Sequence, residues 1–209
     1  MTGPMKVGID FDNTLVSYDD VFLKTASERH LLPQPFSGSK KDVRDSIRAS
    51  AGEAEWTKLQ AEVYGRRMAE ASMIEGANEF VAACRESGAA VHIVSHKTRY
   101  AAADPGGADL HVVALSWMEA NGFFSKAGLG LRREDVFFEP TREAKCRRVG
   151  SLGCNYFIDD LEEVFREPSF PPGVHCFLLH RGDGPSPSGP FTAFANWDAI
   201  TEAVFSRAR

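Results

Sequence analysis

Val7-Gly8-Ile9-Asp10-Phe11-Asp12-Asn13-Thr14-Leu15-Val16 decides how the rest of the chain is read. The apolar run over residues 7–9 has the length and composition of a short buried strand, and it stops at two carboxylates, Asp10 and Asp12. Strands of a parallel sheet are buried on both faces, so charges belong at their ends. The carboxyl ends are where open α/β sheets place their ligands. Asn13 tolerates the left-handed backbone of a sharp loop, and Thr14 adds a hydroxyl. Two carboxylates on one turn repel each other unless a divalent cation or a shared proton relieves them, and both remedies point to chemistry. Taken alone, the stretch reads as a strand that ends in an Asx turn with solvated acids, and what the chain brings to the same sheet edge decides between the two.

Outward from this stretch, residues 17–73 read as helical. Val21, Phe22 and Ala26 share a stripe that Leu31-Leu32-Pro33-Gln34-Pro35 interrupts, and Val43 and Ile47 lie four apart on another. A longer segment carries Trp56, Leu59, Val63, Met68 and Ala69. Arg44, Arg48, Arg66 and Arg67, with Lys40 and Lys41, give this insert a predicted basic surface. From Ile74 the chain returns to sheet units. Ala77, Phe80, Val81 and Cys84 make a helix stripe closed by Ser87-Gly88, and residues 89–94 form a second strand that delivers Ser95, His96 and Lys97. Leu110, Val113, Ala114, Trp117 and Met118 mark another helix.

Further strands are predicted at 136–138, 156–158 and 175–179. Thr141 caps a helix that carries Lys145, and Asn196 caps a terminal one. The strand at 156–158 repeats the opening pattern by ending in Asp159-Asp160. Strands alternating with helices predict an α/β fold with a doubly wound parallel sheet, formed by residues 1–16 and 74–209, with a helical insert over 17–73.

A chain of 209 residues suits one moderate domain with such an insert, and 43% apolar with 25% charged residues are ordinary globular values. With 24 basic against 29 acidic residues the net charge is −5, which argues against a nucleic-acid polymer as partner. No apolar run approaches a membrane span, and the N-terminal stretch has no secretory apolar core, so a soluble cytoplasmic protein is expected. Cys84, Cys146, Cys154 and Cys176 stand singly and read as buried thiols of a reducing compartment. Nothing in the sequence fixes an oligomeric state.

Asp10-Phe11-Asp12-Asn13-Thr14, Ser95, Lys145 and Asp159-Asp160 resemble, in order and spacing, the four motifs of the haloacid dehalogenase-like (HAD) superfamily of hydrolases. Those motifs are Asp-x-Asp-x-Thr, a Ser or Thr after the second strand, a Lys, and an acidic pair or near-pair. The match runs from Val7 to about Val164, and Asn13 stands where many members carry Gly. A left-handed turn accepts either residue.

The resemblance implies a Rossmann-like core with a small helical cap between the first two motifs, and hydrolysis of phosphomonoesters. Asp10 is then the nucleophile that forms an aspartyl-phosphate, and Asp12 the acid and later the base. Mg²⁺ would be held by an Asp10 oxygen, the Asp12 backbone carbonyl and the Asp159-Asp160 pair. Ser95, the His96 backbone N–H and Lys145 would meet the phosphate, while Thr14 braces the loop. Lys97 is the rival of Lys145, which lies in the helix before the acidic strand, where the superfamily keeps this group. Asp12 favours a phosphatase over a dehalogenase, because a halide leaves without a proton. The cap implies a small phosphorylated substrate, either a sugar phosphate or a nucleoside monophosphate, with Trp56, Tyr64, Arg44 and Arg48 as candidate lining residues. Phosphoryl transfer to another hydroxyl, as in a mutase, and non-catalytic binding of a phosphorylated ligand are the alternatives.

Overall fold

The computed structural model describes residues 3–182 and 184–206. Met1, Thr2, Asp183 and residues 207–209, which the sequence reading placed in the sheet domain, lie outside the described residues. In chain order the first half holds β1 (Lys6–Ile9), β2 (Val16–Ser17), α1 (Asp19–Glu28), α2 (Lys40–Ser50), α3 (Glu53–Tyr64), β3 (Ser72–Met73), α4 (Ala77–Glu86) and β4 (Ala90–His96). The second half holds α5 (Leu110–Ala120), β5 (Val136–Glu139), α6 (Arg142–Leu152), β6 (Tyr156–Asp159), α7 (Glu162–Phe165), β7 (His175–Leu179), β8 (Thr192–Phe194) and α8 (Trp197–Phe205).

Six strands form one parallel sheet in the order β5-β4-β1-β6-β7-β8. Counted within the sheet this is the order 3-2-1-4-5-6 of a doubly wound fold. The chain builds outward from β1 through β4 to β5, then restarts at β6 on the other side of β1. Such a reversal leaves a crevice at the carboxyl ends of the two strands where it happens. Ile9 is in register with Ile158 across β1 and β6, so Asp10 and Asp159 leave the sheet side by side.

The chain divides into two compact units. Met1–Leu15, Met73–Lys97 and Asn121–Arg209 make up the sheet unit. On one of its faces Val94, Cys146, Val149, Phe157, Val164 and Leu178 form a buried cluster. Elsewhere in this unit α4 packs against α8, with the rings of Phe80 and Trp197 4.9 Å apart. β1 crosses the core closely: a Cβ on Gly8 would lie 2.7 Å from Phe157 Cδ2 and 3.0 Å from Cys154 Sγ. Gly8→Ala is therefore expected to cost about 1–3 kcal/mol by overpacking, read as a fall in thermal midpoint of roughly 2–10 °C.

Val16–Ser72 and Thr98–Ala120 make up the helical unit. α1, α2 and α3 pack on one another, and their apolar stripes meet where Phe22 stacks on Trp56 at 5.0 Å between ring centroids. Ser39 and Asp42 close a reciprocal capping box at the start of α2. α3 ends at Gly65, so Met68 and Ala69 belong to a separate short 3₁₀ turn. Sequence periodicity left residues 98–120 with the sheet. α5 joins the helical unit through the Trp117 indole N–H, which donates to the Ala71 carbonyl at 2.9 Å.

The predicted basic surface of the insert is largely compensated. Arg44 pairs with Asp45 at 2.8 Å, Arg48 with Glu53, and Arg67 with both Glu28 and Glu70. Trp56, a candidate lining residue, is 2% exposed and belongs to the helical core. Among the described residues, no helix is long and apolar enough to cross a membrane. Cys84, Cys146 and Cys154 are buried free thiols, and Cys176 is half-buried.

Candidate active site

Asp10 is the first residue beyond β1, and its backbone N–H still donates to Ile158 of β6 at 2.9 Å. The ladder thus fixes the backbone that carries the carboxylate. The turn that follows depends on Asn13, whose φ of 60° is the left-handed conformation its residue type allows. Thr14 then points its hydroxyl back across the turn, 3.3 Å from Asp10 Oδ2 and 3.3 Å from Asp160 Oδ1. The Thr14 carbonyl is held in turn by the indole N–H of Trp197 at 3.1 Å.

Lys145 comes from the first turn of α6, which begins where the Thr141 hydroxyl caps the Ala144 N–H at 3.1 Å. Its ammonium lies 2.5 Å from Asp10 Oδ1 and 2.6 Å from Asp159 Oδ2. All three side chains are buried: Lys145 is 1% exposed, Asp10 4% and Asp159 0%. The other Asp159 oxygen accepts the Leu161 N–H at 3.0 Å, which orients the carboxylate as the chain turns into α7. Asp160 is half-buried, and carboxylate oxygens of Asp10, Asp159 and Asp160 lie within 4.8 Å of one another.

Of the three clustered carboxylates, Asp10 and Asp159 share one buried ammonium. Burial pushes the Asp10 carboxyl up to about 7; Lys145 opposes that rise, and the negative charges of Asp159 and Asp12 add to it. For Lys145 burial disfavours the charge, yet Asp10 and Asp159 outweigh it and hold the ammonium above the ordinary lysine range. The cluster therefore carries more negative charge than its lysine offsets, and every donor is a hard oxygen. That donor set fits a divalent cation such as Mg²⁺.

Asp12 has a lysine of its own. Lys97 Nζ lies 2.8 Å from Asp12 Oδ2 and 3.1 Å from Oδ1. The two lysines weighed as rivals are both in the site, each on a different acid. Lys97 is the first residue beyond β4 and continues its alternation, buried like Ser95 with the exposed His96 between them, and that spacing of two was the available signal for the second lysine. Ser95 is 1% exposed, and its Oγ has no hydrogen-bond partner among the described residues. The ring of the exposed His96 meets the Pro140 carbonyl oxygen, 3.2 Å from Nε2.

The six-stranded parallel sheet flanked by helices is the fold of solved HAD-family hydrolases, and this chain has that fold. It is similar to a HAD family hydrolase from Deinococcus radiodurans R1 solved with bound phosphate and sodium, at 18% identity and a TM-score of 0.58, covering 99% of this chain and 97% of that one. It is also similar to the magnesium-bound putative HAD-hydrolase YfnB from Bacillus subtilis, at 11% identity and a TM-score of 0.59, covering 98% and 100%. An L-2-haloacid dehalogenase matches at 14% identity and a TM-score of 0.53, covering 97% and 99%. No protein-family model matches the sequence, and no curated protein does.

Proposed function

We propose that the protein is a Mg²⁺-dependent phosphomonoester hydrolase that acts on a small phosphorylated metabolite, a sugar phosphate or a nucleoside monophosphate. The observation that carries this reading is the clamp of Lys145 between Asp10, 135 residues earlier in the chain, and Asp159, beside Asp160 at the point of sheet reversal. An Asp10 oxygen forms a bond to phosphorus as the bond from phosphorus to the leaving oxygen breaks, and Asp12 gives that oxygen a proton. Water then attacks the aspartyl-phosphate, Asp12 takes a proton from it, and inorganic phosphate departs from a restored Asp10.

Lys145 offsets charge on the nucleophile and on the transferred group as a fixed point charge. Ser95 brings a buried hydroxyl with no acceptor among the described residues, and a phosphate oxygen is the acceptor it fits. His96 offers its backbone N–H, and Thr14 keeps Asp10 and Asp160 oriented. Asp10, the Asp12 backbone carbonyl, Asp159 and Asp160 would hold Mg²⁺, which supplies positive charge to the phosphate oxygens when bound. Asp12 supports an ester substrate over a carbon–halogen bond, since an alkoxide needs a proton to leave and a halide does not. The helical segment over residues 17–73 is assigned as the cap that selects the substrate.

Phosphate release from a panel of small phosphomonoesters, with Mg²⁺ and after chelation, tests the proposal. Release from at least one of them, only with the divalent cation and without an acceptor hydroxyl, is the expected result. Silence across the panel sinks the reading, and turnover of haloacids in its place transfers the site to dehalogenase chemistry.

A further inference from the structure

We propose that Lys97 is the positioning residue for Asp12, holding in place the carboxylate that protonates the leaving group. The catalytic half of this proposal rests on the phosphatase reading above; the structural half rests on geometry alone. Asp10 and Asp12 leave one turn, and each meets a separate buried ammonium: Lys145 for Asp10, Lys97 for Asp12. The Lys97 side chain is 4% exposed and that of Asp12 21%, so the acid sits nearer to solvent than the cation that holds it. The ammonium lies near both oxygens of Asp12, at 2.8 and 3.1 Å, which restricts the rotation of the carboxylate as well as its position.

Lys97 is itself rigidly supported. Its backbone N–H donates to the Glu139 carbonyl at 3.0 Å, carrying the β4–β5 ladder one residue beyond the His96–Glu139 pair. Glu139 is in turn anchored by Arg148 at 2.7 Å. The ammonium also lies 5.9 Å from the centroid of the Phe11 ring, the side chain between the two acids. Asp12 is therefore placed from β4 and β5, while Asp10 is placed from β6 and α6. Loss of Lys97 takes the ammonium from one acid and leaves the Asp10–Lys145–Asp159 clamp standing. A site group held by a neighbour whose own backbone is hydrogen-bonded to the sheet keeps its geometry through the reaction, which is what a proton donor to a departing oxygen requires.

The separation makes the role measurable. An alkyl phosphate needs a proton on its leaving oxygen, whereas the nitrophenolate of p-nitrophenyl phosphate leaves without one. The ratio kcat/KM reports the step that expels the leaving group. Lys97→Met is expected to lower kcat/KM by about 100-fold for the alkyl ester and by less than about 5-fold for the aryl ester, as loss of general-acid catalysis predicts. Lys97→Arg, which keeps the charge, is expected to recover the alkyl ester to within about 10-fold of the parent protein. Equal losses on the two esters overturn the proposal, because a lysine that binds phosphate or merely supports the fold does not discriminate between leaving groups. A crystal structure of Lys97→Met supplies the second readout: the Asp12 carboxylate is expected to move while Asp10 keeps its contact with Lys145. An unmoved Asp12 overturns the proposal. If the parent protein hydrolyses neither ester, the phosphatase reading fails by itself and the position of Asp12 in the variant still decides whether Lys97 holds it.

Discussion

Asp10→Asn is expected to lower phosphate release by more than about 10⁴-fold and, in the metal-free protein above pH 7, to raise the thermal midpoint by about 3–8 °C. The first effect follows from removing the oxygen that bonds to phosphorus. The second follows from burial. The Asp10 carboxyl stands at about 7 in the fold, against an ordinary carboxylate value near 4, because burial disfavours its charge more than Lys145 favours it. A carboxyl whose folded pKa is raised contributes stability that is fully present below its unfolded pKa and is lost as pH rises through the folded one. The parent protein therefore loses this contribution between about pH 4 and pH 7, on the order of 1–3 kcal/mol. Asn is the neutral acid's near-isostere and does not titrate. The variant's advantage should grow across that pH window and level off above it, and thermal melts of both proteins at pH 5 and pH 8 check the sign. Mg²⁺ should shrink the difference, since a cation that binds the ionised site stabilises the parent protein by mass action. A gain in stability together with a loss of turnover is the signature of an acid held in place for chemistry.

The parts of the architecture legible in the sequence are those whose signal is local. β1, β4, β5, β6 and β7 are short apolar runs bounded by turn residues, and Asp10 and Asp159 interrupt two of them at the same end. Parallel strands put both acids at one edge of the sheet, and the adjacency of β1 and β6 brings them side by side. β8 is three residues after a Gly/Pro/Ser loop, with one exposed and two half-buried positions, and has too short an alternation to register. α5 shows a buried face in its stripe, but a stripe does not say what it packs against; the bond from Trp117 to Ala71 spans 46 residues. The arginine pairs of the insert are similarly non-local, as with Arg67 and Glu28, 39 residues apart. The two lysines of the site differ for the same reason. Lys145 had the motif spacing behind it, while Lys97 meets Asp12 across 85 residues, and only the β1–β4 register brings the two together.

Lys145→Met should have the opposite stability effect to Asp10→Asn, although both remove the same ion pair. Asp10→Asn takes a charge from an over-acidic cluster, while Lys145→Met takes away the ammonium that Asp10 and Asp159 share. The remaining carboxylates are then buried without compensation, and breaking such a pair from one side costs about 3–5 kcal/mol. For a chain of this size that is a fall of roughly 6–20 °C in the thermal midpoint of the metal-free protein. The deficit should be larger at pH 8 than at pH 5, because protonation of the stranded acids relieves it at the lower value. Mg²⁺ at about 100 times its dissociation constant should return about 2.7 kcal/mol, by neutralising the same oxygens. In the double variant Asp10→Asn with Lys145→Met, the gain from Asp10→Asn should exceed its gain in the parent protein, since the charge it removes there is a stranded one. Additive midpoints in that cycle would show that the two side chains act independently, and would remove the electrostatic basis for placing a cation and a phosphate at this edge of the sheet.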